Sequence, residues 1–156
     1  MNDQQKLYDA ASEGNVQEIE KLMELNKSNV DIVITSNKST PLMVACFFGN
    51  YEVAKSLLHH GADVNKENNN GDTPLITVCK KKNPTQDDLD IIKMLIKNGA
   101  ELNKKNKTGV SAKSLIDLED YPYFNNFLGG KRRKTNKRKT NKRKTNKRKT
   151  NKRKRR

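Results

Sequence analysis

A block of seven residues beginning Thr-Pro-Leu occurs twice in the sequence, at Thr40 and again 33 residues later at Thr73. Each copy is followed by an apolar segment that ends at a Gly-Ala pair, which begins at Gly61 in the first copy and at Gly99 in the second. Repeats of this length are typical of proteins built from stacked units, because one unit cannot bury its apolar face alone. The repeat therefore predicts a stack in which each copy packs against the next.

Each copy carries the signals for two helices. Thr40 and Thr73 can cap a helix whose first residue is proline, where the missing N–H is not needed and φ is already helical. Gly49 turns the chain, and Gly61 and Gly99 suit the left-handed conformation that ends a helix. The apolar residues at helical spacing are Leu42, Ala45, Cys46, Val53, Ala54, Leu57 and Leu58 in one copy, and Leu75, Val78, Cys79, Ile91, Ile92, Leu95 and Ile96 in the next.

These motifs resemble the ankyrin-repeat family, in which a Thr-Pro-Leu opening and a Leu-Leu-x-x-Gly-Ala close frame two antiparallel helices. The resemblance implies an all-α fold, an ankyrin-repeat solenoid of about four helix-turn-helix repeats (two regular, two end caps) followed by a disordered basic tail. The implied ankyrin-repeat domain is 1–128, made of a cap at about 4–36, a repeat at about 37–69, a repeat at about 70–107 with an inter-helix insertion, and a C-terminal cap at about 108–128. Residues 129–156 are the Gly-Gly hinge and the tail.

The predicted end caps are degraded copies of the same unit. The N-terminal cap has a helix around Leu7, Ala10 and Ala11, and then a segment from Gly14 that matches the one from Gly49. The C-terminal cap opens at 109–116, and we expect one short aromatic-rich helix to close it. The residues of that helix that close the stack are Tyr121, Tyr123, Phe124, Phe127 and Leu128.

The sequence departs from the family pattern in two places. Met43 and Ile76 stand where the family has a histidine, so we expect its hydrogen bonds to the neighbouring loop to be missing and some rigidity to be lost. The second regular copy is five residues longer in the loop between its helices. There Pro84 is predicted to break the first helix, and Thr85 with Asp88 offers a capping box for the second. We expect the longer loop to be exposed.

The last 26 residues contain only Lys, Arg, Thr and Asn, including 18 of the 33 basic residues of the chain and none of its 18 acidic residues. The net charge of +15 therefore belongs to this segment, and the first 130 residues are slightly acidic. With no apolar residue to bury, the tail is predicted to be disordered. Its candidate nucleic-acid-binding or import-signal residues are Lys131, Arg132, Arg133, Lys134, Lys137, Arg138, Lys139, Lys152, Arg153, Lys154, Arg155 and Arg156.

Such a tail suits nucleic acid, since Lys and Arg release counterions from phosphates without reading sequence. Nuclear import receptors read similar clusters, so they are the alternative partner. A membrane is not an expected partner, because no amphipathic helix or lipidation motif accompanies the tail. No apolar run reaches the roughly 18 residues of a membrane span, and the N-terminus lacks the apolar stretch of a secretory signal. We expect an intracellular protein, in the nucleus through its tail or otherwise in the cytoplasm.

Catalytic chemistry has little support in the sequence. His59 and His60 are adjacent on a predicted helix, point about 100° apart and cannot share a metal, so we expect exposed side chains without a role. Cys46 and Cys79 occupy equivalent repeat positions, where packing is the expected role. No phosphate-binding glycine loop is present. We therefore expect no enzyme activity and no cofactor.

The resemblance implies that a partner protein binds the concave face formed by the finger loops and first helices. The candidate residues there are Asn37, Lys38, Phe47, Phe48, Asn70, Asp72, Lys105 and Lys107. Phe47 and Phe48 have two readings, as an exposed anchor for a partner or as filling between neighbouring repeats.

The sequence thus predicts a monomeric, non-enzymatic protein–protein interaction module that its basic tail localises to nucleic acid or the nucleus. The alternative is a sequence-independent nucleic-acid-binding or packaging protein in which the tail is the active part. The ankyrin stack with a Gly-Gly hinge and a terminal Lys-Arg-Thr repeat also resembles proteins of large DNA viruses, which would place it in a host cell.

Overall fold

The computed structural model describes residues 3–25 and 29–116, and within them the chain forms seven α-helices. Their bounds are α1 (Asp3–Glu13), α2 (Val16–Leu25), α3 (Pro41–Phe48), α4 (Tyr51–His59), α5 (Pro74–Cys79), α6 (Gln86–Lys97) and α7 (Ala112–Ile116). Apart from one antiparallel bridge between Lys105 and Ser111, these described ranges contain no strand, so the predicted all-α ankyrin-repeat fold is confirmed. The predicted closing helix and the tail lie outside the described residues.

The helices form two layers. Consecutive helices pair as hairpins, α1 with α2, α3 with α4 and α5 with α6. The helices α1, α3, α5 and α7 contact one another in order and form the first layer, while α2, α4 and α6 form the second. One apolar cluster runs from Leu7 in α1 to Ile116 in α7, so every hairpin buries its apolar face against its neighbours. Across residues 3–25 and 29–116, no helix is long and apolar enough to cross a membrane.

The predicted helix signals are confirmed. The hydroxyl of Thr40 accepts a hydrogen bond from the Met43 N–H at 3.4 Å, and Thr73 caps α5 in the same way through the Ile76 N–H at 3.3 Å. Gly61 and Gly99, which were predicted to be left-handed, have positive φ angles, and so does Gly49, which was predicted to turn the chain. The predicted apolar faces are buried, except that Leu58 and Ile96 are only partly covered.

In the inserted loop between α5 and α6 one prediction is wrong, while the predicted exposure of the loop is confirmed because most of residues 80–85 are exposed. The helix α5 ends at Cys79, well before Pro84, so Pro84 does not break it. The capping box is confirmed, because the Thr85 N–H donates to Asp88 Oδ2 at 2.8 Å and the Asp88 N–H donates to the Thr85 hydroxyl at 3.2 Å. Asp88 is only 1% exposed and pairs with Lys81 at 2.5 Å. An ion pair whose carboxylate is buried therefore holds the start of the loop against α6.

The loops that precede the first-layer helices are hydrogen-bonded to one another. The Asn69 N–H donates to the Asn37 carbonyl at 2.9 Å, and the Lys107 N–H donates to the Asn70 carbonyl at 3.0 Å. Met43 and Ile76, which replace the family histidine, are buried in the core. Backbone groups therefore connect the loops, and the hydrogen bonds of a histidine side chain are missing at both positions, as the sequence predicted. The expected loss of rigidity stays a prediction.

Candidate protein-binding groove

A groove of about 290 Å³ opens on the first layer, between the loop residues 35–39, the loop residues 68–72 and the helices α1, α3 and α5. No residue of the second layer contributes to it. The residues that line the groove are Tyr8, Thr35, Asn37, Ser39, Met43, Val44, Phe47, Phe48, Asn68, Asn70, Asp72, Thr77 and Lys80. The stacking of three hairpins therefore builds one continuous recess from residues that are far apart in the sequence.

Phe47 and Phe48 form the exposed apolar part of the groove. They end α3, and 59% and 47% of their surfaces are accessible. Their rings meet edge to face, with centroids 5.1 Å apart and planes at 82°, which is a favoured aromatic geometry. About half of each residue is therefore exposed at the groove, which leaves aromatic surface open to a partner. The structure favours the reading of the pair as an exposed anchor.

Asp72 lies in the groove wall and has a structural role that the sequence did not indicate. It is only 5% exposed, and its two carboxylate oxygens accept hydrogen bonds from Asn106 and from Lys80, both at 2.6 Å. Asn106 belongs to the next loop and is also buried. Asp72 therefore joins two neighbouring loops to the end of α5. Both of its carboxylate oxygens are already hydrogen-bonded within the chain, although the sequence had suggested Asp72 as a contact for a partner.

The remaining predicted residues lie around the groove. Asn37 and Asn70 line it, and Lys38 follows Asn37 in an exposed position with a φ of 57°. Lys107 is exposed and adjoins the groove through its hydrogen bond to Asn70. Lys105 forms the bridge with Ser111 in the next repeat and does not line the groove. The structure thus brings together most of the predicted set, with Lys105 to one side.

The sequence reading missed several groove residues. Tyr8 comes from the N-terminal cap, for which no binding role was considered, and Thr77 and Lys80 come from the end of α5. A signal for Lys80 was present, because it lies 33 residues after Phe47 and thus occupies the same repeat position. Comparing the two copies position by position would have identified it.

The buried thiols contact the core and are poor nucleophiles. Cys46 and Cys79 are buried in α3 and α5, and their predicted packing role is confirmed. Burial raises the pKa of the Cys46 thiol far above its usual range, and burial raises the pKa of Cys79 to about 12. A thiolate at neutral pH is therefore disfavoured at both positions.

The second layer contains a polar cluster that the sequence reading missed. His60 was expected to be exposed and without a role, but its Nε2 lies 2.7 Å from Glu20 Oε2, and Ser56 donates a hydrogen bond to the other oxygen of Glu20. Both hydrogen bonds, from Ser56 first and from His60, lower the pKa of the Glu20 carboxyl. These hydrogen bonds connect α2, which contains Glu20, with α4 and its C-terminal end, which supply Ser56 and His60. Within the described ranges no group of three or more His, Cys, Asp or Glu side chains could hold a metal ion.

A larger cavity of about 940 Å³ lies in the second layer, between α4 and α6. Two of its lysines are paired with acids of their own helices, Lys55 with Glu52 at 3.5 Å and Lys93 with Asp90 at 2.7 Å. None of the large apolar residues that are mainly exposed in the described part of the chain lies there. The groove on the first layer is therefore the better candidate for protein binding.

Comparisons with known proteins agree with this architecture. The family profile described as ankyrin repeats in three copies matches residues 7–106, which is more than half of the chain. The chain is 30% identical over 76 residues to the probable E3 ubiquitin-protein ligase XBOS32 of Oryza sativa subsp. japonica. That similarity covers 49% of this chain but only 15% of the rice protein. With its capped helix pairs, its period and the profile match, the chain belongs to the ankyrin-repeat family.

Proposed function

We propose that this chain is a non-enzymatic, monomeric protein-binding module that holds a partner protein in the groove on its first layer. Ankyrin repeats generally mediate protein binding. The rice relative is named a probable ubiquitin-protein ligase, but the match covers only 15% of its length, so its ligase activity is not part of the proposal. The observation that carries the proposal is the exposed pair Phe47 and Phe48 beside a recess. Exposed aromatic side chains next to a pocket are the usual source of binding energy in protein interfaces.

The groove proposal is tested by capturing partners from a cell extract with the full chain and with Phe47→Ala/Phe48→Ala. Both side chains are exposed, so the double variant keeps the fold. We expect at least one protein to be captured by the parent chain and lost with the double variant. Leu25→Ala is the matched control, because Leu25 is 70% exposed in the second layer. The proposal fails if no captured protein depends on the phenylalanine pair.

We further propose that the basic C-terminal segment localises the module, either on nucleic acid or in the nucleus through an import receptor. Its support is compositional, since 18 basic residues and no acidic residue lie between 131 and 156. Otherwise the protein stays in the cytoplasm, in each case of a host cell if the chain is viral. If about ten phosphates are neutralised, the logarithm of the affinity falls with the logarithm of salt concentration with a slope of about −9.

A second candidate function follows from the same charge run, namely a nucleic-acid-binding or packaging protein in which the stack is only a carrier. A salt titration on duplex DNA and RNA, with the full chain and with residues 1–128, tests the tail. Steep salt-dependent binding by the full chain alone supports nucleic-acid localisation, whereas no binding near physiological salt supports an import address. If removal of the tail abolishes function while the Phe47→Ala/Phe48→Ala change has no effect, the carrier function is the correct one.

A further inference from the structure

We infer that the partner segment held in the groove is an acidic peptide with one large apolar side chain. In this arrangement the apolar side chain rests on Phe47 and Phe48, and its acidic neighbours face two lysines at the edge of the groove. We name Lys38 and Lys107 the rim lysines. The inference rests on the proposed protein-binding function and adds the chemistry of the partner.

The size of the groove favours a single side chain. At about 290 Å³ it lies at the lower limit of recesses that hold drug-sized molecules. Its exposed apolar surface is concentrated in Phe47 and Phe48, because the other apolar side chains of the lining, Val44 and Met43, are buried. One aromatic or branched aliphatic side chain could cover the two rings and remove apolar area from water.

The available charge around the groove is positive. Lys38 and Lys107 are exposed, and neither has an acidic partner among the described residues. The only carboxylate in the lining, that of Asp72, is already occupied by Asn106 and Lys80. Among the described residues, the lining therefore offers an approaching segment no free carboxylate, and the two rim lysines beside it have no acidic partner. This arrangement favours acidic chains over basic ones.

Two amide side chains are placed to hold an extended backbone. Asn37 and Asn70 line the groove from neighbouring loops, and their side-chain amides have no hydrogen-bond partner within the described part of the chain. An amide offers both a donor and an acceptor, which match the N–H and C=O of a peptide. The basic segment 131–156 of this chain carries the same charge as the rim lysines, so charge disfavours it as the occupant.

The probe that tests the inference is a random 12-residue peptide library displayed on phage and selected on the full chain. Each enriched peptide is then measured on the parent chain and on Phe47→Ala/Phe48→Ala. Both chains carry the same basic tail, so the contribution of the tail cancels in the ratio of affinities. The rim is tested with Lys38→Asp/Lys107→Glu, in which Asp tolerates the left-handed backbone at position 38. Lys97→Glu, at an exposed lysine of α6, controls for a charge reversal away from the groove, with one charge reversed where the rim variant reverses two.

We expect the peptides that depend on the phenylalanine pair to carry Phe, Trp or Leu flanked by Asp or Glu. The Phe47→Ala/Phe48→Ala change and the rim double variant should each weaken them by about tenfold, and Lys97→Glu should leave their affinity within about twofold. Replacing their Asp and Glu by Asn and Gln should weaken them by about the same factor as the rim variant.

The experiment separates failure of the acidic peptide class from failure of the binding groove itself. If peptides depend on the phenylalanine pair but are neutral or basic, including a copy of 131–156, the acidic class is wrong while the binding groove stands. If no peptide depends on the pair, the groove is not a binding site and both fail. Acidic peptides that bind all variants equally are bound by the tail and also overturn the inference.

Discussion

Gly49 offers a sharp test of how the inserted loop is anchored. It ends α3 with a φ of 83°, and a Cβ added there would lie 2.8 Å from Asp88 Oδ1 and 3.1 Å from Lys81 Nζ. Gly61 has a nearly identical φ of 85°, but a Cβ added there would meet nothing within 4 Å. The pair Gly49→Ala and Gly61→Ala therefore shares the backbone strain and differs only in the contact with the buried ion pair.

The expected losses follow from these two contributions. A non-glycine residue in the left-handed region costs about 1–2 kcal/mol, and both variants share this term. The Cβ at position 49 must also displace the Asp88 carboxylate, which is 1% exposed and is held by the Thr85 N–H at 2.8 Å. Losing one hydrogen bond to a charged group adds about 1.5–3 kcal/mol. Gly49→Ala should therefore lose at least about 1.5 kcal/mol more than Gly61→Ala.

Urea unfolding of the two full-length variants and the parent chain, followed by far-ultraviolet circular dichroism, measures the difference. Equal losses for the two variants would refute the reasoning, because they would mean that Asp88 and Lys81 move aside freely. The same result would mean that the ion pair does not anchor the inserted loop.

Three further outcomes are expected. Because the pKa of Glu20 is lowered in the folded state, chiefly by its hydrogen bond from Ser56, its stabilising effect is present above the ordinary Glu pKa and is lost as the pH falls through the lower folded value. Glu20→Gln should therefore lower the urea midpoint at neutral pH but not in acid below that value, and a loss independent of pH would contradict this. Thr85→Ala should cost about 1 kcal/mol in the same assay by removing the cap of α6, and an unchanged free energy of unfolding would contradict this. Both cysteine thiols should react with Ellman's reagent only after unfolding, and rapid reaction of the native chain would contradict their burial.

The sequence predicted the fold well because the repeat encodes buried positions. Leu42 and Leu75 occupy equivalent places and are both fully buried, and Thr40 and Thr73 cap their helices with the same geometry. A position that must pack against a neighbouring copy recurs at the period of the stack, so it can be recognised without a structure.

Side-chain pairs between repeats were not predictable in the same way. Asp72 meets Asn106 across 34 residues, and His60 meets Glu20 across 40. Neither pair has a counterpart in the other copy, so no periodicity marks it. Asp and His are also usually found on protein surfaces, so the sequence alone predicts exposed side chains at both positions. For this reason Asp72 was expected to contact a partner and His60 to have no role.

Some positions at which the two regular copies differ help to build the groove, beside Asn37 and Asn70, which are equivalent and identical. Phe47 and Lys80 lie 33 residues apart at the same repeat position, and both line the groove. One supplies an exposed aromatic ring, and the other supplies the cation that holds Asp72. The core tolerates this difference because both side chains project away from it, whereas a change at Leu42 or Leu75 would disturb the packing of neighbouring hairpins. Stacking thus constrains the buried residues that the copies share and leaves exposed positions of the first layer, such as Phe47, free to differ between repeats. The features that distinguish one partner from another are therefore expected at such exposed positions.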